Sequence, residues 1–248
     1  MANVHARASS TIWAKIADST TIEGMRILFV LACFLSTSFA ASKNAERLTE
    51  ATAVLNEVMA SADKAIPKEL LNKAHCIAVV PGFKKGAFIV GASYGKGYLS
   101  CRQPAKSGWS PPATIRIESG SVGFQIGGTE TDLILLVMNS RGADSLMQSK
   151  FTLGGAVQAA AGPLGRTSTA ETDAAMRAEI LSYSRARGLF AGISLQGATL
   201  RADLDSNKAM YKQAFTTAEI VRERKAKPTP TGQKFIATIA RHSPKELK

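Results

Sequence analysis

Histidine and cysteine are both scarce, three of each in 248 residues, and they do not gather at ligand spacing. His75 beside Cys76 has no second cluster to complete a tetrahedral site, so no resident metal or other cofactor is expected. Aromatic residues make up only 6%, and no basic stripe is interleaved with them, which argues against nucleic acid as a partner. No apolar run reaches the roughly 20 residues a membrane-spanning helix needs. Phosphate-loop, zinc-helix and paired-cysteine motifs are absent as well, and Gly120-Ser121-Val122-Gly123 falls between strand-like segments, the wrong setting for a KH-type clamp.

What is present is a composition of 45% apolar and 20% charged residues, typical of a domain that folds in water. The net charge of +12 is lopsided: residues 41–220 carry +5 and residues 221–248 carry +6. Near the start, Arg26 precedes the apolar run Ile27 to Leu35, and Ser38 and Ala40 stand at the −3 and −1 positions of a cleavage site. This predicts a signal peptide over 25–40, cut after Ala40, and an exported protein in the periplasm or cell envelope. Residues 1–24 then read as a non-structural or untranslated extension ahead of Met25. In an oxidising compartment Cys76 and Cys101 are permitted to pair; two buried core thiols are the other reading.

From Ser42 to Lys64 apolar positions recur at Leu48, Ala51, Leu55, Val58 and Ala62, the spacing of an amphipathic helix packed on a core. Pro67 is placed to open a second short helix through Leu70 and Leu71. The period then changes to short β-branched or alternating runs: Cys76–Val80, Ala87–Ser93, Gly97–Cys101, Thr114–Glu118, Val122–Ile126 and Thr131–Asn139. Connections this tight predict antiparallel pairing in a meander or barrel. Leu133–Met138, apolar on both faces, is expected to be the central strand. Further expectations are a helical turn or two over Arg141–Ser149, strands over Phe151–Ala161, Glu179–Arg185 and Leu189–Leu200, a long loop over 162–177, and a terminal helix from Asp205 to about Arg224. Residues 225–248 read as a basic, proline-containing flexible tail. The fold class is α+β, an antiparallel β-rich core with helices at both ends.

The order of these segments resembles the SYLF family of lipid-binding domains over residues 45 to about 220. The resemblance rests on Ile66-Pro67-Lys68-Glu69-Leu70-Leu71, Ile77-Ala78-Val79-Val80-Pro81-Gly82-Phe83-Lys84-Lys85-Gly86, Gly108-Trp109-Ser110-Pro111-Pro112, Gly123-Phe124-Gln125-Ile126-Gly127-Gly128, Lys150-Phe151-Thr152-Leu153-Gly154-Gly155, Ala161-Gly162-Pro163-Leu164-Gly165-Arg166 and Tyr183-Ser184-Arg185-Ala186-Arg187-Gly188-Leu189-Phe190-Ala191-Gly192. With its export signal, the chain looks like an exported bacterial branch of the family. The resemblance implies a lipid-binding module over 41–224 whose basic residues meet anionic headgroups; protein partners are not implied.

Such binding needs convergent cations, and arginine forks suit phosphate oxygens. The candidates are Lys84 and Lys85 in a turn beside Phe83, Lys96 in a glycine-flanked hairpin, Arg102, Arg166, Arg185 and Arg187. A catalytic reading has one foothold: Gly91-Ala92-Ser93-Tyr94-Gly95 fits the esterase pattern, with His242 downstream. That pattern needs a strand before the serine and a helix after it, whereas a second strand is expected after Ser93. No catalytic residue is assigned, and an envelope interaction protein without a lipid ligand is the alternative.

Overall fold

The computed structural model describes residues 42–61, 65–87, 90–103, 106–122, 127–155, 157–164, 177–186 and 189–244. The chain divides into two units, Met1–Lys43 and Asn44–Lys248, and nearly all described residues belong to the second. The expected signal peptide and its cleavage site lie outside the described residues.

Helix α1 spans residues 42–60; Leu48, Ala51, Leu55 and Val58 are buried as the periodicity predicts, Val54 is buried beside them, and Ala62 lies outside the described residues. Pro67 caps the short α2 (Lys68–Lys73) rather than lying in its first turn. Among the described residues ten strands follow: β1 (Cys76–Ala87), β2 (Val90–Gln103), β3 (Lys106–Trp109), β4 (Ala113–Val122), β5 (Gly127–Val137), β6 (Lys150–Thr152), β7 (Ala159–Ala161), β8 (Ile180–Ala186), β9 (Leu189–Gly192) and β10 (Thr199–Ala202). They form one sheet in the order β6-β10-β4-β2-β1-β5-β8-β7, with β3 added to β2 and β9 to β8. Pairing is antiparallel except for β7 on β8. The two edge strands β6 and β7 are joined by the short stretch 153–158, in which Leu153 bridges Val157, so the sheet curls towards a half-barrel.

Strand β1 is one of the middle pair and β5, expected to be the central strand, is its neighbour, third from the β7 edge; Cys76–Val80 and Leu133–Val137 are apolar on both faces because each face has its own core. Ala78, Val80, Leu133 and Leu135 join one cluster, covered by α3 (Ser140–Leu146), α5 (Thr217–Val221) and the Leu153 turn. Ile77, Val79, Ile134 and Leu136 join the other, covered by α1, α2 and α6 (Pro230–His242). Cys76 and Cys101 are direct cross-strand partners in the first cluster and are disulfide-bonded. The bond thus resolves in favour of pairing what the residues alone left open.

Several boundaries differ from expectation for local reasons. Of the expected run Ala87–Ser93, Ala87 closes β1 and residues 88–89 lie outside the described residues, while Val90–Ser93 and Gly97–Cys101 belong to one strand, β2. Gly95 and Gly97 do not make a turn; they make room. A Cβ on Gly97 would lie 2.3 Å from the Val79 carbonyl, and one on Gly95 would lie 2.8 Å from Val80 and Phe83 side-chain atoms. Pro81-Gly82 likewise bulges within β1, between the register positions Val80 and Phe83. Phe151–Ala161 and Leu189–Leu200 are each split at a left-handed glycine, Gly154 and Gly197. The expected helix Asp205–Arg224 is broken at left-handed Lys212 into α4 (Leu204–Tyr211) and α5, the latter started by a Thr216–Glu219 capping box. The largest correction concerns residues 225–248. Thr229 caps and Pro230 opens the 13-residue α6, which buries Phe235, Thr238 and Ile239.

Candidate functional site

The bulge at Pro81-Gly82 sets the position of Lys84 and Lys85. The Gly82 N–H donates to Asp132 Oδ1 at 2.9 Å, which ties the bulge to β5. Beyond it β1 continues, so the two lysines are not in a turn: Lys84 pairs with Tyr94 and Glu130, and Lys85 with Ser93 and Thr129. Being adjacent in a strand, they project to opposite faces. Both are exposed, and neither has an ion-pair partner among the described residues. Arg166 and Arg187 lie outside the described residues.

The other three expected contact residues are tied to the fold. Lys96 lies within β2, 2.6 Å from Asp203, whose side chain is only 2% exposed, and it also donates to Ser206 Oγ. Burial alone would raise the Asp203 pKa, but the Lys96 ammonium and the Ser206 hydroxyl and N–H outweigh it and leave the carboxyl below its ordinary value. Arg185 donates through Nε and Nη2 to Asp132 at 2.9 and 2.8 Å and pairs with Glu57 of α1. Burial in turn raises the Asp132 pKa, against the lowering effect of the Gly82 N–H.

Arg102 is a buried clamp. Its guanidinium stacks 4.4 Å from the centroid of Trp109 and donates to the carbonyl and hydroxyl of Ser243. The Ser243 hydroxyl in turn donates to the Leu71 carbonyl, so β2, β3, α2 and the end of α6 meet on one side chain. Arg102→Leu is expected to cost about 3 kcal/mol in urea unfolding, the scale of lost charged hydrogen bonds and a lost cation–π contact, without altering vesicle binding by the folded fraction. A cost below about 1 kcal/mol would remove Arg102 from this role.

Sequence reasoning missed Arg116 and Arg201. They are register partners on β4 and β10, both paired through Nε with Glu118 at 3.1 and 3.2 Å. Alternation with Ile115, Ile117 and Leu200 marks their outward facing, but nothing local announces that β10 lies beside β4. The esterase pattern fails in place: Gly91 to Tyr94 are paired with both β1 and β4, and Gly95 with β4, so Ser93 sits mid-strand and not at a strand-to-helix elbow. His242 Nε2 lies 3.2 Å from Asn56 Oδ1. Among the described residues no cluster suits a metal ion, and no helix is long and apolar enough to cross a membrane. A cavity of about 460 Å³ at the β6–β7 seam is lined by Gly154, Gln158, Ala160, Arg177, Ser194 and Gln196. Ala159, Ala161 and Ala178 complete that lining, which mixes small apolar side chains with polar ones.

Comparison with known proteins places this architecture. Residues 118–242 match the Ysc84 family, described as a Las17-binding protein actin regulator. The chain belongs to the Ysc84, or SYLF, family. It is similar to the SH3 domain-containing YSC84-like protein 1 of Rattus norvegicus, 35% identical over 160 residues, covering 64% of this chain and 46% of that protein. The Xenopus laevis protein of the same name is 38% identical over 154 residues, 61% of this chain and 45% of its own length. LAS seventeen-binding protein 3 of Saccharomyces cerevisiae is 30% identical over 193 residues, 76% of this chain and 41% of the yeast protein. The chain thus spans less than half the length of each of these relatives. The match of residues 118–242 runs from β4 to the end of α6, so the C-terminal helix belongs to the Ysc84 domain rather than to a tail.

Proposed function

We propose that this chain is a non-catalytic module that binds the headgroups of anionic phospholipids at its surface, and that it is an exported protein of the cell envelope. The observation that carries the lipid reading is the pair Lys84 and Lys85, exposed and without ion-pair partners among the described residues, near the end of β1. In sequence the two lysines follow Phe83 directly and precede Phe88-Ile89 by three residues, so the cations adjoin apolar sequence, as interfacial binding requires. The Cys76–Cys101 bond supports export, since such bonds persist in oxidising compartments. The names of the relatives favour a second reading, a protein-interaction module.

The test is cosedimentation of the full chain with phosphatidylcholine vesicles and with vesicles that also contain phosphatidylserine. The chain is expected to pellet with the anionic vesicles only, and Lys84→Glu/Lys85→Glu to weaken that binding at least tenfold, at about 1 kcal/mol for each charge near the surface. Equal recovery on both vesicles, or none at low salt, would sink the lipid reading and leave the protein-interaction one.

A further inference from the structure

Four cations stand in one cross-strand row. Lys150 on β6 is the register partner of Arg201 on β10, Arg201 of Arg116 on β4, and Arg116 of Lys96 on β2. Direct register partners share a face with Cβ atoms about 5 Å apart, and like charges placed so repel. Across four strands the row is about 14 Å long. The fold supplies only partial relief. Glu118 neutralises one of the two arginines it holds, Asp203 neutralises Lys96, and exposed Lys150 has no ion pair among the described residues.

One carboxylate serves both arginines. Glu118 sits one row away, with Oε1 3.1 Å from Arg116 Nε and Oε2 3.2 Å from Arg201 Nε, ion pairs that lack hydrogen-bond geometry. Both guanidiniums lie beside that carboxylate while their side chains stay about a third exposed, 33% and 35%. Lys96 is anchored by a buried carboxylate of its own, Asp203. The neighbouring row on this face reads Thr152, Thr199, Glu118, Tyr94 and Lys84, so hydroxyls and a further free ammonium flank the ladder. Tyr94 is 45% exposed, and Leu204, which follows Asp203, is 49% exposed. Guanidiniums bind phosphate oxygens in pairs, and apolar groups beside them suit a ligand that meets the surface at a lipid boundary.

We propose that the row Lys150, Arg201, Arg116 and Lys96 is a binding site for phosphate groups, presented by the headgroups of an anionic lipid surface. The assignment deepens the lipid reading and rests on it for the source of the phosphate, not for the site. Lys84 belongs to the same face, whereas Lys85 projects away from it.

The test is flotation of the full chain with phosphatidylcholine vesicles containing phosphatidic acid, alongside calorimetric titration with inorganic phosphate. Arg116→Gln/Arg201→Gln is expected to weaken vesicle binding about 25-fold, fivefold for each cation removed. Lys150→Glu, at an exposed site that cannot threaten folding, is expected to weaken it at least fivefold. Vesicle binding at wild-type strength by both variants would overturn the site while leaving the lipid reading standing. Phosphate binding that depends on the ladder, without any vesicle binding, would support the site and overturn the lipid source. Failure of the wild-type chain to bind either would overturn both.

Discussion

Phe235→Ala is expected to destabilise the protein by about 4 kcal/mol, the middle of the range for removing a buried phenyl group. Phe235 is 0% exposed and lies in α6, the helix that sequence composition alone assigns to a flexible tail. Its ring meets Tyr98 edge-on at 6.4 Å, and it shares a core cluster with Ile239, Leu55 and Leu71. Truncation therefore removes both the contacts and the lid over this side of β2. For a domain of this size the melting temperature should fall by roughly 10 °C. A loss under 1 kcal/mol in urea unfolding would return α6 to the status of an appendage. Deleting everything after Val221 is for the same reason no test of a basic tail, since it strips Phe235 and Ile239 from the core and the Ser243 anchor from Arg102.

The contrast between α6 and β5 shows what is legible in such a sequence. Leu133–Val137 announces itself because each side chain meets an apolar core on its own side, and a run without polar alternation has no other stable home. Helix α1 is equally plain from its period. Helix α6 was readable by the rule applied to Pro67, proline before or within a first turn, with Phe235 and Ile239 one turn apart; Pro228 and Pro230 masked it by resembling a breaker. Gly95, Gly97 and Pro81-Gly82 misled more deeply. Punctuation residues usually mark chain reversal, but here Gly95 and Gly97 answer crowding of β2 against β1 and Pro81-Gly82 a bulge beside β5, conditions set by tertiary contact and absent from local sequence.

The candidate site divides along the same line. That Lys84, Lys96 and Arg185 carry charge is visible, but whether a charge is spent is decided by partners far along the chain: Asp203 for Lys96, and Asp132 with Glu57 for Arg185. The ladder is the converse case. Arg116 and Arg201 are 85 residues apart in numbering and become neighbours only through the β4–β10 register. A row of like charges that costs stability within the fold is a property of topology, so no window along the chain contains it.

Replacing both Cys76 and Cys101 by alanine is expected to cost about 3 kcal/mol, because the bond closes a loop of 25 residues and its entropic benefit grows only slowly with loop length. Both sulfurs are buried, at 0% and 3% exposure, and the pair joins β1 to β2 at the start of the sheet, so the alanines also leave space in the apolar cluster. Urea unfolding of the double variant measures the sum, and a cost below 1 kcal/mol would show that the crosslink adds nothing the strand pairing lacks. The same bond gives the export proposal a chemical readout. The remaining cysteine, Cys33, lies in the segment that cleavage after Ala40 would remove. Protein recovered from the cell envelope should therefore show no titratable thiol when denatured, and two thiols on reduction. One free thiol without reduction would mean that Cys33 is retained, and three would mean a reducing compartment, against export in either case.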